Sequence, residues 1–197
     1  MTAFRLGLTG SIGMGKSTTA GFFQAAGIPV WDADAAVHRL YAAGGAAVGP
    51  MAQALPGVIE GGAVSRAALR ALLAQDPEQL AVLEAIVHPL VAADRAQFLA
   101  ETVSDIAVFD IPLLFEKGTE AEMDATLLVT APADLQRRRV LARPGMTEAQ
   151  LALILSRQMP DRDKRARATH IIETLSLPAV EAAVAALIAY IREGRHA

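Results

Sequence analysis

The sequence contains no cysteine. That excludes a disulfide framework, a thiolate metal site and a cysteine nucleophile, and it suits a reducing compartment. Charge is nearly balanced. Lys and Arg number 18 against 21 Asp and Glu, a formal net charge of −3. No global field therefore draws the protein to nucleic acid or to an anionic membrane, and neither is expected as a partner. No apolar run reaches the roughly 18 residues that span a bilayer, and the C-terminal "AVEAAVAALIAYI" is broken by Glu181. The N-terminus lacks the basic segment, apolar stretch and cleavage site of a signal peptide. A soluble, cytoplasmic, monomeric protein is expected. Two chemical signatures are also missing. There is no N/T-K-x-D stretch of the kind that reads a guanine base, and no apolar strand ends in the Asp-Glu of motor ATPases.

What is present is an alternation of short apolar runs with longer helical patterns over 197 residues. Ala3 to Thr9 reads as a strand, and Ser17 to Ala26 as a helix closed by Gly27. "IPVW" (28–31) is a second strand, with Trp31 in the core, and Asp32 to Tyr41 is helical. Residues 44–62 show little pattern. Ser65 caps a helix, Asp76-Pro77 opens another, and His88-Pro89 begins a third that runs to about Glu101. "DIAVFDI" (105–111), "ATLLVTA" (125–131) and "HIIET" (170–174) read as further strands. Helices are expected over 133–142 and 147–159, the second with the capping-box spacing Thr147/Gln150, and from Pro178 onward. The alternation predicts an α/β fold, a parallel sheet with helices on both faces. Ligands of such sheets sit at the carboxyl ends of the strands.

The strongest motif is "GSIGMGKST" (10–18), where Gly10, Gly15, Lys16 and Ser17 match G-x-x-x-x-G-K-[ST] between a strand and a helix. Glycines let successive backbone N–H groups turn toward phosphate oxygens, and the helix N-terminus favours an anion. Lys16 reaches the outer phosphates and Ser17 offers a hydroxyl to Mg²⁺. Asp110, at the end of an apolar strand, is placed to help hold that ion through water. Without a water-polarising glutamate, the phosphoryl acceptor is a substrate, and a carboxylate is needed to take its proton. "WDADAAVHRL" supplies Asp32 and Asp34. Half of all Lys and Arg residues lie between Arg137 and Arg167. "LQRRRVLAR" places Arg139 and Arg143 four apart on one helical face, and the segment reads as a lid over the phosphates. Arg137, Arg138 and Arg165 fit a solvated face. These residues leave three readings open: a small-molecule kinase, a nucleoside monophosphate kinase, or a nucleotide-binding regulator without phosphoryl transfer.

Taken in order, "LTGSIGMGKST", "GIPVWDADAAVHRL", "VSRAALRALL", "LEAIVHPLV", "FDIPLLFE", the arginines of "RRRVLAR" and "THIIET" resemble the dephospho-coenzyme A kinase family over nearly the whole chain. The resemblance implies ATP-dependent phosphorylation of the ribose 3′-hydroxyl of dephospho-CoA, with MgATP as donor. It implies a P-loop core like that of nucleoside monophosphate kinases, with a five-stranded parallel sheet (1–43, 102–136, 168–197). A helical acceptor-binding insertion (44–101) and an arginine-rich lid (137–167) would complete it. By motif position, Asp34 is the general base with Asp32 beside it. Gly13, Met14, Gly15, Lys16, Ser17 and Thr18 carry the ATP phosphates, and Arg143 joins them. Arg139 stabilises the transferring phosphoryl group. Arg66, His88, Leu113, Leu114 and Glu116 fall on the acceptor side, "PLLF" as an exposed apolar wall. Two departures stand out: Glu173-Thr174 where the family often has Asp-Asn, and "RPGMT" (143–147) in place of a more acidic turn.

Overall fold

A computed structural model describes residues 3–196. The chain forms two compact units. One comprises the residues up to Trp31 together with those from Thr102 onward, and the other is Asp32–Glu101. Among the described residues no helix is long and apolar enough to cross a membrane.

The first unit is built on a five-stranded parallel sheet. Its strands are β1 (Phe4–Thr9), β2 (Val30–Asp32), β5 (Ile106–Asp110), β6 (Ala125–Thr130) and β7 (His170–Glu173), in the order β2-β5-β1-β6-β7. β1 is central and pairs in parallel with β5 (Leu6 opposite Val108) and with β6 (Leu8 opposite Leu127). Every residue of β5 and β6 is buried. A strand covered on both faces needs a continuous apolar run rather than an alternating one, and "IAVFD" and "ATLLVT" supply it. Helices α1 (Lys16–Ala25) and α9 (Leu177–His196) pack on each other. Phe23, Val180, Val184 and Ile188 join the strand residues in one apolar core. Trp31 is buried with its ring 6.1 Å from that of Phe109, the core position expected of it. α6 (Ala133–Leu141), α7 (Glu148–Ser156) and α8 (Asp161–Arg167) follow β6. The capping box of Thr147 and Gln150 is formed.

The second unit has its own core of Leu40, Tyr41, Met51, Leu55, Val58, Leu69 and Val87 among others. Its helices are α2 (Ala33–Tyr41), α3 (Val48–Ala54), α4 (Arg66–Gln75) and α5 (Gln79–Glu101). α2 packs on α5, so this unit starts at Asp32 rather than at the expected residue 44. The stretch that showed little pattern folds as α3, a short turn at Pro56–Val58 and an antiparallel hairpin. Its strands are β3 (Ile59–Glu60) and β4 (Ala63–Val64), joined by Gly61-Gly62 with φ of 56° and 79°. Two expected helices prove to be one. α5 runs for 23 residues with Pro89 inside it. The proline removes one backbone donor, and the burial of Leu83, Ile86, Val87, Leu90 and Val91 on either side keeps the helix continuous. His88 is therefore a mid-helix residue and does not start a helix.

Candidate active site

The loop after β1 and the first turn of α1 form a cradle. Gly13 and Gly15 both adopt the left-handed conformation, at φ 77° and 88°. A Cβ on Gly13 would stand 2.5 Å from Val140 Cγ2, and one on Gly15 3.1 Å from the Thr174 side chain. Only glycine satisfies both the backbone angle and the space. Met14 is buried and its Sδ takes the Ala131 N–H at 3.0 Å. Two glutamines hold the peptide groups of Ile12. Gln136 Nε2 donates to its carbonyl at 2.8 Å, and Gln158 Oε1 accepts its N–H at 3.2 Å. Ser17 and Thr18 are exposed at the start of α1, where unpaired helix amides gather.

Lys16 pairs through Nζ with Asp110 Oδ1, and Asp110 is almost wholly buried at the end of β5. Two motifs 94 residues apart thus meet, because β1 and β5 are neighbours ending on the same edge. Ser17 and Asp110 are hard oxygen donors of the type Mg²⁺ takes. Among the described residues no cluster of three or more acidic or histidine side chains is arranged for a metal. The donor set fits a cation held chiefly by phosphate oxygens and water.

A cavity of about 410 Å³ opens beside the cradle. Gly13, Gly15, Thr18, Arg139 and Arg143 line it, with Thr174 and Leu175. Arg139 is fastened on its far side. Nη1 donates to Thr174 Oγ1 at 2.8 Å and Nη2 to the Thr174 carbonyl at 2.5 Å. Arg143 lies in the turn after α6 rather than on its face, since the helix ends at Leu141. Five other arginines of the segment meet carboxylates. Arg137 pairs with Glu148, Arg138 with Asp134, Arg162 with Asp163, and Arg167 with Glu120. Arg165 pairs with both Asp161 and Glu173.

Glu116, expected on the acceptor side, is engaged by two residues of its own unit. Its Oε1 accepts the Met159 N–H at 2.8 Å and lies 2.9 Å from Nζ of Lys164, a residue with no exposed surface. The Lys164 contact is an ion pair without hydrogen-bond angles, and Glu116 Oε2 takes no hydrogen bond from the described residues. Burial pushes the Glu116 carboxyl up, but Lys164 and the Met159 N–H outweigh it and hold it below the usual range. Leu114 is not part of an exposed wall. It is fully buried, its Cδ2 3.0 Å from where a Cβ on Gly7 would lie. Leu113 is half-buried and has φ 59°, the one left-handed non-glycine residue among those described. Such a backbone costs a leucine about 1–2 kcal/mol and marks a constrained position.

In the second unit, Asp32 ends β2 and caps α2, its Oδ1 accepting the Ala35 N–H at 2.9 Å. Asp34 sits in the first turn, exposed and without an ion pair or hydrogen bond among the described residues. The two carboxylates thus divide into one used by the backbone and one that is not. Arg66 is the first residue of α4, after the Ser65 cap, with its guanidinium 5.6 Å from the Tyr41 ring centre. His88 is exposed on α5, 3.9 Å from Glu84.

The structure groups Gly13, Gly15, Thr18, Arg139 and Arg143 at one cavity, and Lys16 with Asp110. Thr174, Gln136, Gln158 and Lys164 were not singled out as site residues. Thr174 had a signal, its place at a strand's carboxyl end in a pair that departs from the family, whereas the glutamines and Lys164 had none.

A family model described as dephospho-CoA kinase matches residues 4–178. The dephospho-CoA kinase of Cereibacter sphaeroides is 69% identical over 193 residues, 98% of each chain. A solved structure from Thermus thermophilus superposes with a TM-score of 0.84 at 39% identity, covering 96% of this chain and 98% of that one. The dephospho-CoA kinase of Campylobacter jejuni shares the fold, with a TM-score of 0.66 at 23% identity over 97% of this chain and 98% of its own. With its glycine cradle, paired Lys16 and arginine-lined cavity on a full-length match, this chain belongs to the dephospho-CoA kinase family.

Proposed function

We propose that the protein transfers the γ-phosphoryl group of ATP to the ribose 3′-hydroxyl of dephospho-CoA, giving CoA and ADP in the last step of CoA synthesis. The observation that carries this reading is the cavity where the left-handed glycines of the loop meet Arg139 and Arg143. It suits a polyphosphate, since backbone amides and arginine forks both bind oxyanions. Family membership supports the acceptor.

The roles follow from chemistry. The amides of Gly13 to Thr18 hold the β- and γ-phosphates. Lys16 exchanges Asp110 for phosphate oxygens and neutralises charge as the leaving ADP develops it. Arg139 offers its remaining N–H groups to the transferring group. Ser17, with Asp110 through water, would hold Mg²⁺, which when bound neutralises charge on the phosphates. Asp34 takes the proton from the 3′-hydroxyl as the bond to phosphorus forms, a role that suits a carboxylate with no other partner. The unit Asp32–Glu101 takes the acceptor, with Arg66 and His88 offering exposed polar groups to it. Leu113 and Glu116 belong to the acceptor side of the first unit. Residues 142–160, between the docked helices α6 and α8, act as the lid. Closure there excludes water and commits the phosphoryl group to the alcohol.

The test is ADP release with and without dephospho-CoA, alongside a panel of nucleoside monophosphates. Release should depend on dephospho-CoA, and a preference for a simple nucleotide refutes the reading. Asp34→Asn should keep ATP binding and lose turnover by about 10²–10⁴. Unchanged turnover removes Asp34 from that role.

A further inference from the structure

We propose that Thr174 is a positioning residue for the donor site, its one hydroxyl orienting both the phosphate loop and Arg139. The proposal rests on the phosphoryl-transfer reading above. Thr174 follows β7, is 4% exposed, and has its own N–H bonded to the Thr130 carbonyl at 2.8 Å. Its backbone is therefore fixed to the sheet. Its β-branched side chain has few rotamers to choose from, and its methyl and hydroxyl would stand 3.1 Å from a Cβ on Gly15.

The hydroxyl has one hydrogen to give and two lone pairs. It donates to the Met14 carbonyl at 2.9 Å, with the Thr130 carbonyl 3.2 Å away as an alternative acceptor. It accepts from Arg139 Nη1 at 2.8 Å. Each contact has a consequence. A trans peptide is planar, so its C=O and the following N–H point in opposite directions. Drawing the Met14 carbonyl toward Thr174 turns the Gly15 N–H the other way. A guanidinium has five N–H donors in a rigid fork. Thr174 takes two of them, through Oγ1 and its carbonyl. The fork is then held in one plane with three donors left for phosphate. The loop amide and the arginine are thereby referred to one atom anchored on the sheet.

Thr174→Val keeps the shape and removes the hydroxyl, and Thr174→Ser restores it. Thr174→Val should lower kcat about tenfold to a hundredfold, the usual weight of a hydrogen bond to a charged group. Thr174→Ser should stay within about threefold of the parent. In an Arg139→Ala background, Thr174→Val should cost less than it does in the parent, since the fork it oriented is gone and only the loop contact remains to be lost. The parent and these four variants are titrated with a non-hydrolysable ATP analogue, which needs no acceptor and keeps the test valid whatever alcohol the enzyme phosphorylates. Thr174→Val should bind the analogue more weakly than Thr174→Ser at equal thermal stability. Parental kcat in Thr174→Val overturns the proposal. So does equal damage from valine and serine, or an undiminished loss in the Arg139→Ala background. Failure of dephospho-CoA as acceptor in the parent would strike the functional reading and leave the analogue titration to judge Thr174.

Discussion

Lys164→Met should unfold the protein far more easily than any surface change in the same helix. Lys164 has no exposed surface, and its Nζ lies 2.9 Å from Glu116 Oε1, itself on a side chain only 16% exposed. At that separation and an effective dielectric near 20, the attraction is about 6 kcal/mol, offset by the loss of hydration of both ions. Removing only the cation leaves the desolvation cost of a buried carboxylate uncompensated. The expected loss is about 3–5 kcal/mol, or a fall in Tm of roughly 6–20 °C for a chain of this size. Methionine keeps the length and apolar stem of lysine, so little of this comes from a cavity. Urea unfolding at neutral pH reads it. The double variant Lys164→Met/Glu116→Gln should recover most of the loss, because the amide still accepts the Met159 N–H and no charge remains buried. Acid supplies a second handle. The folded Glu116 carboxyl lies below its ordinary 4.5, so its stabilisation is complete above that value and fades as pH falls through the folded one. The gap between parent and Lys164→Met should therefore narrow as pH falls below about 4.5. A single variant within about 0.5 kcal/mol of the parent, or a double variant as unstable as the single, refutes the reasoning.

Arg139→Lys should lower kcat about tenfold or more with little change in stability, since a point charge replaces a fork that contacts Thr174 twice; parental kinetics would remove Arg139 from the transferring group. Leu113→Gly relieves a left-handed leucine at φ 59° but loosens the unfolded chain, so stability should shift by no more than about 1 kcal/mol. The KM for dephospho-CoA should rise while that for ATP holds, and an unchanged acceptor KM takes Leu113 off the acceptor wall. Gly15→Ala should weaken binding of an ATP analogue at least about tenfold, because φ 88° and the Thr174 side chain 3.1 Å away both oppose a Cβ; isothermal titration near parental affinity would contradict this.

Much of the fold was readable because its signals are local. The strands of the sheet announce themselves as apolar runs, and the Ser65 and Thr147 caps hold where the sequence puts them. The hairpin at residues 59–64 was missed, although its Gly61-Gly62 pair is a hairpin signal. The glycines around it obscured the pattern. Pro89 misled for the opposite reason. A local rule breaks the helix there, and burial on both sides overrides the rule.

The sequence by itself determined the phosphate cradle, the five strands of the sheet, and the residue types available for phosphoryl transfer. Each of these depends on neighbours a few positions apart, where spacing alone dictates geometry. The tertiary structure supplied the reason Arg139 and Arg143 line the cavity: carboxylates elsewhere in the chain engage Arg137, Arg165 and Arg167. It alone decided that Lys164, the most polar of expectations for a surface, is the buried residue of α8. It alone joined Thr174 to Met14 across 160 positions of sequence. A charge or a hydroxyl has no preferred depth of its own. Its place is set by the partner that folding brings within 3 Å, and that partner is invisible until the strands are in register.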